Sequence, residues 1–450
     1  MKKLITGTLF AAILAGVSLL AAPARAADDV NKSMLDYSFL RATIDFYKQV
    51  DYQALLDGAV SGFKTAVKNK GGDPTHVPVV RHLGSDSADI AALNEELKVV
   101  NREYGRTVGE RELAYGAISG MMQSLRDRWT VFMTPQEYRS LNENLEGGGF
   151  PGVGVVIDVD PATKSLLIVQ VLDGGPAAKA GMQPGDVILT IDGTPTKGLS
   201  TVDDSKLIRG KAGTKVQLVV QRVGADKQLV FSVTRDFIHE PSVLTRMIDD
   251  HVGYVRVLVF GTTTGDEITR ALAGLEKQGV KAYILDLRNN GGGYLNAAID
   301  VASKFVADGP IVEIDQRQKP LTTINAQDSA VASRPLAVLV NGYTASASEI
   351  ASGAIQDSGT GVLIGTKTYG KGEVQTIYPL PDGSAIKITT ARYLTPSGRD
   401  INTIGIKPDI EVPDVKVENI GNLLLDSQLQ RAVSFVRDQL TPPAPAPVTH

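Results

Sequence analysis

Three short segments carry residue types that nucleophilic catalysis can use, and the first is NGYTASASE. In it Thr344, Ser346 and Ser348 stand between an apolar run and a helix-like sequence. A serine at a strand-to-helix turn is exposed at the strand end, where the backbone N–H groups of the helix start favour a developing oxyanion. The same residues also have a structural interpretation, since Ser346 and Glu349 match the helix-capping pattern S-x-x-E. Taken alone, these residues favour the cap.

The second segment, TYGKGEVQ, contains a residue that can act as a base. Lys371 stands between two glycines in a stretch that leads into a predicted strand. Burial beside a serine would lower the pKa of this lysine from about 10.4 towards about 7 or 8, so that its neutral amine can accept a proton. Gln375 can hold that amine through its side-chain oxygen. A solvated lysine is the commoner state at such a position.

The third segment, ILDLRNNGGGYL, is an apolar run that ends in a glycine-rich loop at residues 284–295. Glycines in such a loop let backbone N–H groups approach a substrate carbonyl, although a simple turn is the commoner role of glycines there.

Other chemistries have weaker support in the sequence. The chain has no cysteine, and none of its five histidines stands in HExxH or another metal-ligand spacing. Ser358 in QDSGTG and the S-x-x-K match at Ser61 lack the partner motifs of their enzyme classes. The net charge of -4 gives no electrostatic reason to expect nucleic acid. We therefore expect no metal, no cofactor and no nucleic-acid partner.

The elements that must position these segments fall into three regions. Spaced apolar residues predict helices over residues 36–70 and 90–145, where two similar segments, DYQALLDGAVSGFKTAVKN and ERELAYGAISGMMQSLRD, indicate a local duplication. Short apolar runs over 146–238 predict a small β-rich unit with one helix at 201–209. Beyond residue 238 strands and helices alternate, which is typical of an α/β core with buried strands.

The two ends of the chain have distinct compositions. Lys2 and Lys3 precede an apolar stretch at residues 4–22 and an A-x-A site, so residues 1–26 read as a secretory signal and the mature chain is expected to start at Ala27. The apolar stretch is also long enough to remain as a membrane anchor. We expect an exported protein, periplasmic or extracellular, whose Pro-rich tail at 441–450 is disordered.

The β-rich unit resembles a PDZ domain through FPGVGVVI at residues 150–157 and GGPAAKAGMQPGDVILTIDG at residues 174–193. The resemblance implies that the loop of Gly152, Val153 and Gly154 receives the carboxylate of a peptide. The following edge strand can then pair with the extended peptide.

The larger set of motifs, DLRNNGGG, TASASE, TYGKGEVQ, ARYLTPSGR and GIKPDIEV, resembles the C-terminal processing peptidases, the tail-specific Ser-Lys proteases of peptidase family S41. The resemblance implies that Ser346 is the nucleophile, that Lys371, 25 positions later, is the general base, and that Gln375 completes the site. It also implies an oxyanion hole formed by the N–H groups of Ala347 and Gly292.

Two positions depart from the family pattern at this site. Thr344 replaces the first serine of the SASAS run, and Gly291 replaces a proline common in the family's N-P-G-G loop. The second change makes the loop more flexible, so Gly293 stays an alternative to Gly292 in the oxyanion hole.

These observations predict a multidomain α+β protein. An N-terminal helical region at 27–145 precedes an inserted PDZ domain at 146–238 and a ClpP/crotonase-like α/β protease core at 239–440. The predicted function is that of an exported serine endopeptidase that recognises the C-terminal tails of protein substrates and cleaves them. The alternative is a PDZ-bearing scaffold with an inert core. A homodimer can form through the N- and C-terminal helices, although apolar helix faces usually pack within their own chain.

Overall fold

The computed structural model describes residues 24–145, 150–159, 165–172, 174–199, 201–238, 241–327, 330–331 and 333–440. Most of the predicted signal segment, the first residues of the predicted PDZ domain and the Pro-rich tail therefore lie outside the described residues. Within those ranges, no helix is long and apolar enough to cross a membrane. The described residues form two compact units, drawn from Met1–Thr134 with Ile377–Ile388 and from Pro135–Thr376 with Thr389–His450.

The first unit is built mainly from helices. Its elements are α1 (Ala24–Asp45), α2 (Tyr52–Asn69), α3 (Asp86–Val108), α4 (Glu110–Ser124) and the short strand β1 (Val131–Met133). The Asp51 side chain caps α2 by accepting the N–H of Ala54, and Ser85 caps α3 in the same way. The apolar faces of these helices meet in one buried core. The predicted helical region at 90–145 is thus interrupted by a strand.

The two similar segments of the sequence are α2 and α4, which pack against each other. Four glycines make this contact close: a Cβ added at Gly62 would lie 1.9 Å from the carbonyl oxygen of Gly116, and one at Gly120 would lie 2.0 Å from that of Gly58. Backbone therefore meets backbone, and any larger residue at these positions would force the helices apart.

The second unit begins with α5 (Pro135–Leu145) and a β-rich segment. Its elements are β2 (Phe150–Gly152), β3 (Val155–Val159), β4 (Leu166–Val171), α6 (Pro176–Lys179), β5 (Val187–Ile191), β6 (Thr194–Pro195), α7 (Thr201–Ile208), β7 (Lys215–Gln221), β8 (Leu229–Thr234) and β9 (Asp236–Ile238). The main sheet is antiparallel with the order β3-β4-β5-β7-β8, so β3 lies at its edge. α7 packs beside β3.

The α/β part of the second unit follows. Its elements are β10 (Val243–Met247), β11 (Val252–Val257), α8 (Thr264–Lys277), β12 (Ala282–Asp286), α9 (Leu295–Ala302), β13 (Pro310–Asp315), β14 (Thr322–Asn325), β15 (Leu336–Val340), α10 (Ala347–Asp357), β16 (Val362–Gly365), β17 (Glu373–Pro379), β18 (Ala385–Leu394), β19 (Ile410–Glu411) and α11 (Ser427–Leu440). The end of β17 and the start of β18 lie in Ile377–Ile388 and so belong to the first unit. One sheet has the order β10-β11-β12-β15-β16-β19, with all pairs after β10 parallel. The predicted mixed α/β character is confirmed.

Strands β12 and β15 decide where a site can form. Both are buried at every residue, and they are parallel neighbours in the sheet. The glycine-rich loop follows β12 and the TASASE turn follows β15. Because the carboxyl ends of parallel strands meet at one edge of a sheet, these two segments lie together.

The apolar face of α11 packs within its own unit. Leu429, Val433 and Val436 are buried in a core cluster with residues of the sheet. This face of the helix is therefore already covered, which gives no support to a homodimer through it.

Candidate active site

The glycine-rich loop and the TASASE turn are tied together by two asparagines. The N–H of Asn289 donates to Oδ1 of Asn341 at 3.0 Å, and Nδ2 of Asn341 donates to Oδ1 of Asn289 at 2.8 Å. Asn289 has a φ of 58°, a left-handed conformation that Asn adopts more readily than most residues. The two strand ends are thus locked in register.

Two of the three hydroxyl residues in the turn have structural roles. Thr344 and Ser348 are both 0% exposed. The Thr344 hydroxyl donates to the carbonyl oxygen of Leu287 at 2.9 Å, and that of Ser348 donates to the carbonyl oxygen of Asn290 at 2.9 Å. Ser346 between them is partly exposed. The structure therefore separates one accessible serine from two hydroxyls that hold the loop.

Ser346 stands at the N-cap of α10 in an unusual backbone conformation, with φ 58° and ψ -119°. Such a conformation costs a non-glycine residue about 1–3 kcal/mol and is typical of functional turns. The predicted capping box is present, and the N–H of Ser346 donates to Oε2 of Glu349 at 2.9 Å. The helix cap and a partly exposed serine thus occur at the same residue.

The carboxylate of Glu349 does more than cap the helix. It is fully buried, and its Oε2 also accepts the N–H of Lys371 at 2.8 Å. Its Oε1 accepts the hydroxyl of Thr368 at 2.5 Å and the N–H of Gly370 at 2.8 Å. Because one oxygen binds the N–H groups of both Ser346 and Lys371, the main chains of these two residues are adjacent. The sequence indicated only the capping role.

A second group contacts the same two main chains. The hydroxyl of Tyr393 in β18 donates to the carbonyl oxygen of Ser346 at 3.0 Å and also hydrogen-bonds the carbonyl oxygen of Lys371. Tyr393 is 1% exposed, and burial raises its pKa well above the ordinary value. The hydroxyl therefore keeps its proton. Only the ARYLTPSGR motif pointed towards this residue.

Lys371 is partly exposed and is separated from β17 by Gly372, while Gln375 lies within that strand. Nε2 of Gln375 donates to the carbonyl oxygen of Glu373 at 3.2 Å and contacts the hydroxyl of Thr389 at 3.5 Å. The amide nitrogen is therefore engaged by the strand and its neighbour. The side-chain oxygen is the atom that a role beside the lysine would use.

The predicted oxyanion residues lie against the serine. Gly292 has a φ of 101°, and a Cβ there would lie 2.8 Å from Cβ of Ser346 and 2.9 Å from the nitrogen of Ala347. The N–H of Gly292, however, donates to Oδ1 of Asn290 at 2.9 Å. The N–H of Ala347 has no hydrogen-bond partner among the described residues. Of these two residues, Ala347 is thus the readier N–H donor to an oxyanion. Gly293 stays the alternative to Gly292 as the second donor.

A buried ionic network anchors the start of the glycine-rich loop. The guanidinium of Arg288, 1% exposed, binds Asp286 at 2.6 Å and Asp426 at 2.7 Å. Burial lowers the pKa of Arg288, but the two carboxylates outweigh this and raise it above its usual range. The same guanidinium holds the pKa of Asp426 below its usual range, although burial opposes this shift. The arginine of the DLR motif was the sequence signal for this network.

The predicted carboxylate loop of the β-rich segment precedes the edge strand β3. Gly152, Val153 and Gly154 are buried, and Gly154 has a φ of 78°. The carbonyl oxygen of Val153 accepts the N–H of Ala177 at 2.8 Å, and that of Gly154 accepts the N–H of Leu172 at 2.9 Å. The loop is thus fixed through its carbonyl groups.

In the described part of the chain no group of three or more His, Asp or Glu residues could hold a metal ion.

Comparisons with known proteins agree with this architecture. Residues 251–412 match the sequence profile of peptidase family S41, residues 167–222 that of a PDZ domain, and residues 79–137 that of the N-terminal domain of the activating protease CtpB. The carboxyl-terminal-processing protease of Synechocystis is 39% identical over 337 residues, which cover 74% of this chain and 78% of that protein. The carboxy-terminal processing protease CtpA of Bacillus subtilis is 37% identical over 325 residues, 72% of this chain and 69% of that protein.

A solved structure of the tricorn protease is similar with a TM-score of 0.52 and 17% identity, over 92% of this chain and 37% of that one. At this identity the similarity is one of fold. The sequence matches go further: the chain belongs to peptidase family S41 and, within it, to the carboxyl-terminal-processing proteases with a PDZ domain. The family predicted from the motifs is confirmed.

Proposed function

We propose that this protein is a serine endopeptidase that binds the C-terminal tail of a protein substrate in its PDZ domain and cleaves the substrate with Ser346 and Lys371. The observation that carries the proposal is the shared oxygen of Glu349, which accepts the N–H groups of both residues at 2.9 and 2.8 Å. Two chain segments 25 residues apart in sequence thereby meet at the end of the parallel sheet.

In the proposed reaction, Oγ of Ser346 attacks the carbonyl carbon of the scissile peptide bond. The neutral amine of Lys371 takes the hydroxyl proton and passes it to the leaving nitrogen, which leaves an ester on Ser346. Water then attacks the ester, with the lysine again as base, and the serine hydroxyl is restored. Gln375 holds the lysine amine through its side-chain oxygen. The N–H of Ala347, with a backbone N–H of Gly292, stabilises the oxyanion.

The position of β3 supports the role of the PDZ domain. An edge strand has backbone N–H and C=O groups on one side that can pair with an added peptide strand, and β3 is such a strand. The loop of Gly152, Val153 and Gly154 immediately before β3 receives the carboxylate of the tail. Backbone pairing of this kind recognises an extended chain end with little demand on its sequence.

The remaining assignments are part of the same proposal. A signal peptide at 1–26 directs export, the helical region spans 27–145, the PDZ domain spans 146–238, and a ClpP/crotonase-like core spans 239–440, while the Pro-rich tail at 441–450 lies outside the described residues. The run of parallel strands from β11 to β19 supports the assignment of the core.

The test is cleavage of an unfolded reporter protein with an apolar C-terminal tail by purified wild-type protein and matched serine variants. Ser346→Ala and Lys371→Ala are expected to lower kcat by about 10³-fold or more. Ser358→Ala, at the exposed end of α10, is the control and should cleave normally. Undiminished cleavage by Ser346→Ala would overturn the assignment, and tail binding without cleavage by the wild type would favour the inert scaffold.

A further inference from the structure

Lys371 depends on its surroundings for a defined position. It lies between Gly370, which has a φ of 87°, and Gly372, and its four-carbon side chain is flexible. A base on such a segment reaches the serine in a constant geometry only if the peptide groups on both sides of it are fixed. The direction of its Cα–Cβ bond is set by those two peptide groups.

The structure fixes one peptide group from each side. The N–H of Lys371, in the preceding peptide group, donates to Glu349 at 2.8 Å. Its carbonyl oxygen, in the following peptide group, accepts the hydroxyl of Tyr393. The same hydroxyl reaches the carbonyl oxygen of Ser346 at 3.0 Å. Tyr393 therefore holds the carbonyl side of Lys371 and relates it directly to Ser346.

Tyr393 is itself rigidly placed. Its N–H donates to the carbonyl oxygen of Gly372 at 3.0 Å, and it pairs with Ile314 of the neighbouring strand β13. Its ring belongs to the main core cluster of the unit. A phenol has one proton, which must be shared between the two carbonyl oxygens, and burial keeps that proton in place at neutral pH.

We propose that Tyr393 is a positioning residue of the proteolytic reaction. Its hydroxyl sets the direction from which the Lys371 side chain reaches Ser346, and it acts through the main chain without touching the substrate. This inference rests on the proposed function, since it concerns the same serine and lysine. It predicts a loss in the chemical step with little change in substrate binding.

The test compares Tyr393→Phe with Tyr283→Phe in the full chain. Tyr283 is the matched control, because it is also 1% exposed and its hydroxyl also makes a partly buried hydrogen bond, to Oε1 of Glu276 at 2.6 Å. Both variants and the wild type are assayed for cleavage of the reporter, and the amplitude of the acyl-enzyme burst gives the concentration of active sites. Tyr393→Phe should lower kcat per active site by about 10- to 100-fold with KM changed by less than about twofold. Tyr283→Phe should match the wild type in both.

Replacement of Tyr393 with para-aminophenylalanine provides the rescue. Its amino group has two N–H donors, one for each carbonyl oxygen, so kcat per site should stay within about threefold of the wild type. If Tyr393→Phe does not fold, the para-aminophenylalanine variant still tests the positioning role. A fall of about tenfold or more in its kcat per active site would overturn the inference.

The inference and the proposed function fail differently. A wild-type kcat per site in Tyr393→Phe, or a loss confined to KM or to the fraction of active sites, would overturn the positioning role alone. Normal cleavage by Ser346→Ala, measured in parallel, would instead refute the proposed function.

Discussion

Replacing Glu349 with Gln tests whether one carboxylate holds the two proposed catalytic segments together. Its oxygens accept four hydrogen bonds, from the N–H groups of Ser346, Gly370 and Lys371 and from the hydroxyl of Thr368, at 2.5 to 2.9 Å. A carboxamide offers only one oxygen, so its NH2 group must face two of these four donors.

The loss of stability depends on which two of these four donors lose their acceptor. With the NH2 group at the Oε1 position, Thr368 can turn its hydroxyl to accept from it, whereas the N–H of Gly370 faces another donor and loses its acceptor. A buried donor without a partner costs about 1–3 kcal/mol, and full burial of Glu349 removes any compensation by solvent. The bonds to Ser346 and Lys371 remain but lose their charge, which makes them roughly half as strong. We expect the free energy of unfolding to fall by about 1–3 kcal/mol and kcat to fall roughly tenfold.

The assay is urea unfolding together with cleavage of the reporter per active site. Glu267→Gln is the matched control, since Glu267 also accepts several bonds, from the N–H and hydroxyl of Ser242, the N–H of Val243 and the hydroxyl of Thr263, at 2.7 to 3.1 Å. The control should lose stability and keep its kcat per site. Equal losses of kcat in both variants, or none in Glu349→Gln, would show that the Glu349 carboxylate does not position the two segments.

Three further predictions concern the loop, the ionic network and the helical unit. Gly292→Ala should lower kcat by about 100-fold or more, because its Cβ would lie 2.8 Å from the Ala345 carbonyl oxygen. In the control Gly291→Ala the added Cβ meets no atom within 4 Å, so this variant should cleave normally. Equal rates in the two variants would contradict the prediction. Asp426→Ala leaves a buried guanidinium underpaired and should lower the unfolding free energy by about 3–5 kcal/mol in urea, so a change below about 1 kcal/mol would be contrary evidence. Burial raises the pKa of Glu96 from 4.5 to about 7, so the folded state binds the proton more tightly and the unfolding free energy should fall, by about 3 kcal/mol in all, as pH rises from about 4.5 to about 8. Glu96→Gln should remove that dependence, and an unchanged slope in the variant would exclude Glu96 as its source.

Local signals predicted the elements around the site well. A helix was expected directly after the TASASE turn, because S-x-x-E marks a helix start, and α10 spans Ala347–Asp357. Strands β12 and β15 were visible as continuous apolar runs, as expected for strands covered on both faces.

Long-range contacts were not predictable in the same way. The expected helical region at 90–145 is broken by β1, whose residues pair with the start of β18, over 250 positions later in the chain. Nothing local to VFM distinguishes a strand from a helix turn, since its conformation is decided by a distant partner. Gly109, with a φ of 97°, marks the other break, between α3 and α4.

The site shows the same division. Ser346, Lys371 and Gln375 were predicted as site residues by their spacing and by family resemblance, which needs no knowledge of the fold. Glu349 was recognised only as a helix cap. Its hydrogen bond to the N–H of Lys371 forms only when the chain folds back to the end of the sheet, which local sequence does not reveal. The role of Tyr393 was invisible for the same reason.

The most direct test of the account is to identify the residue that carries the acyl group. The wild-type protein is mixed with an ester substrate, quenched in acid within the burst phase, digested and mapped by mass spectrometry. If Ser346 is the nucleophile, the acyl ester lies on Ser346 and no such adduct forms in Ser346→Ala protein. An ester on another residue, or steady turnover with no acyl adduct at any serine, would contradict it.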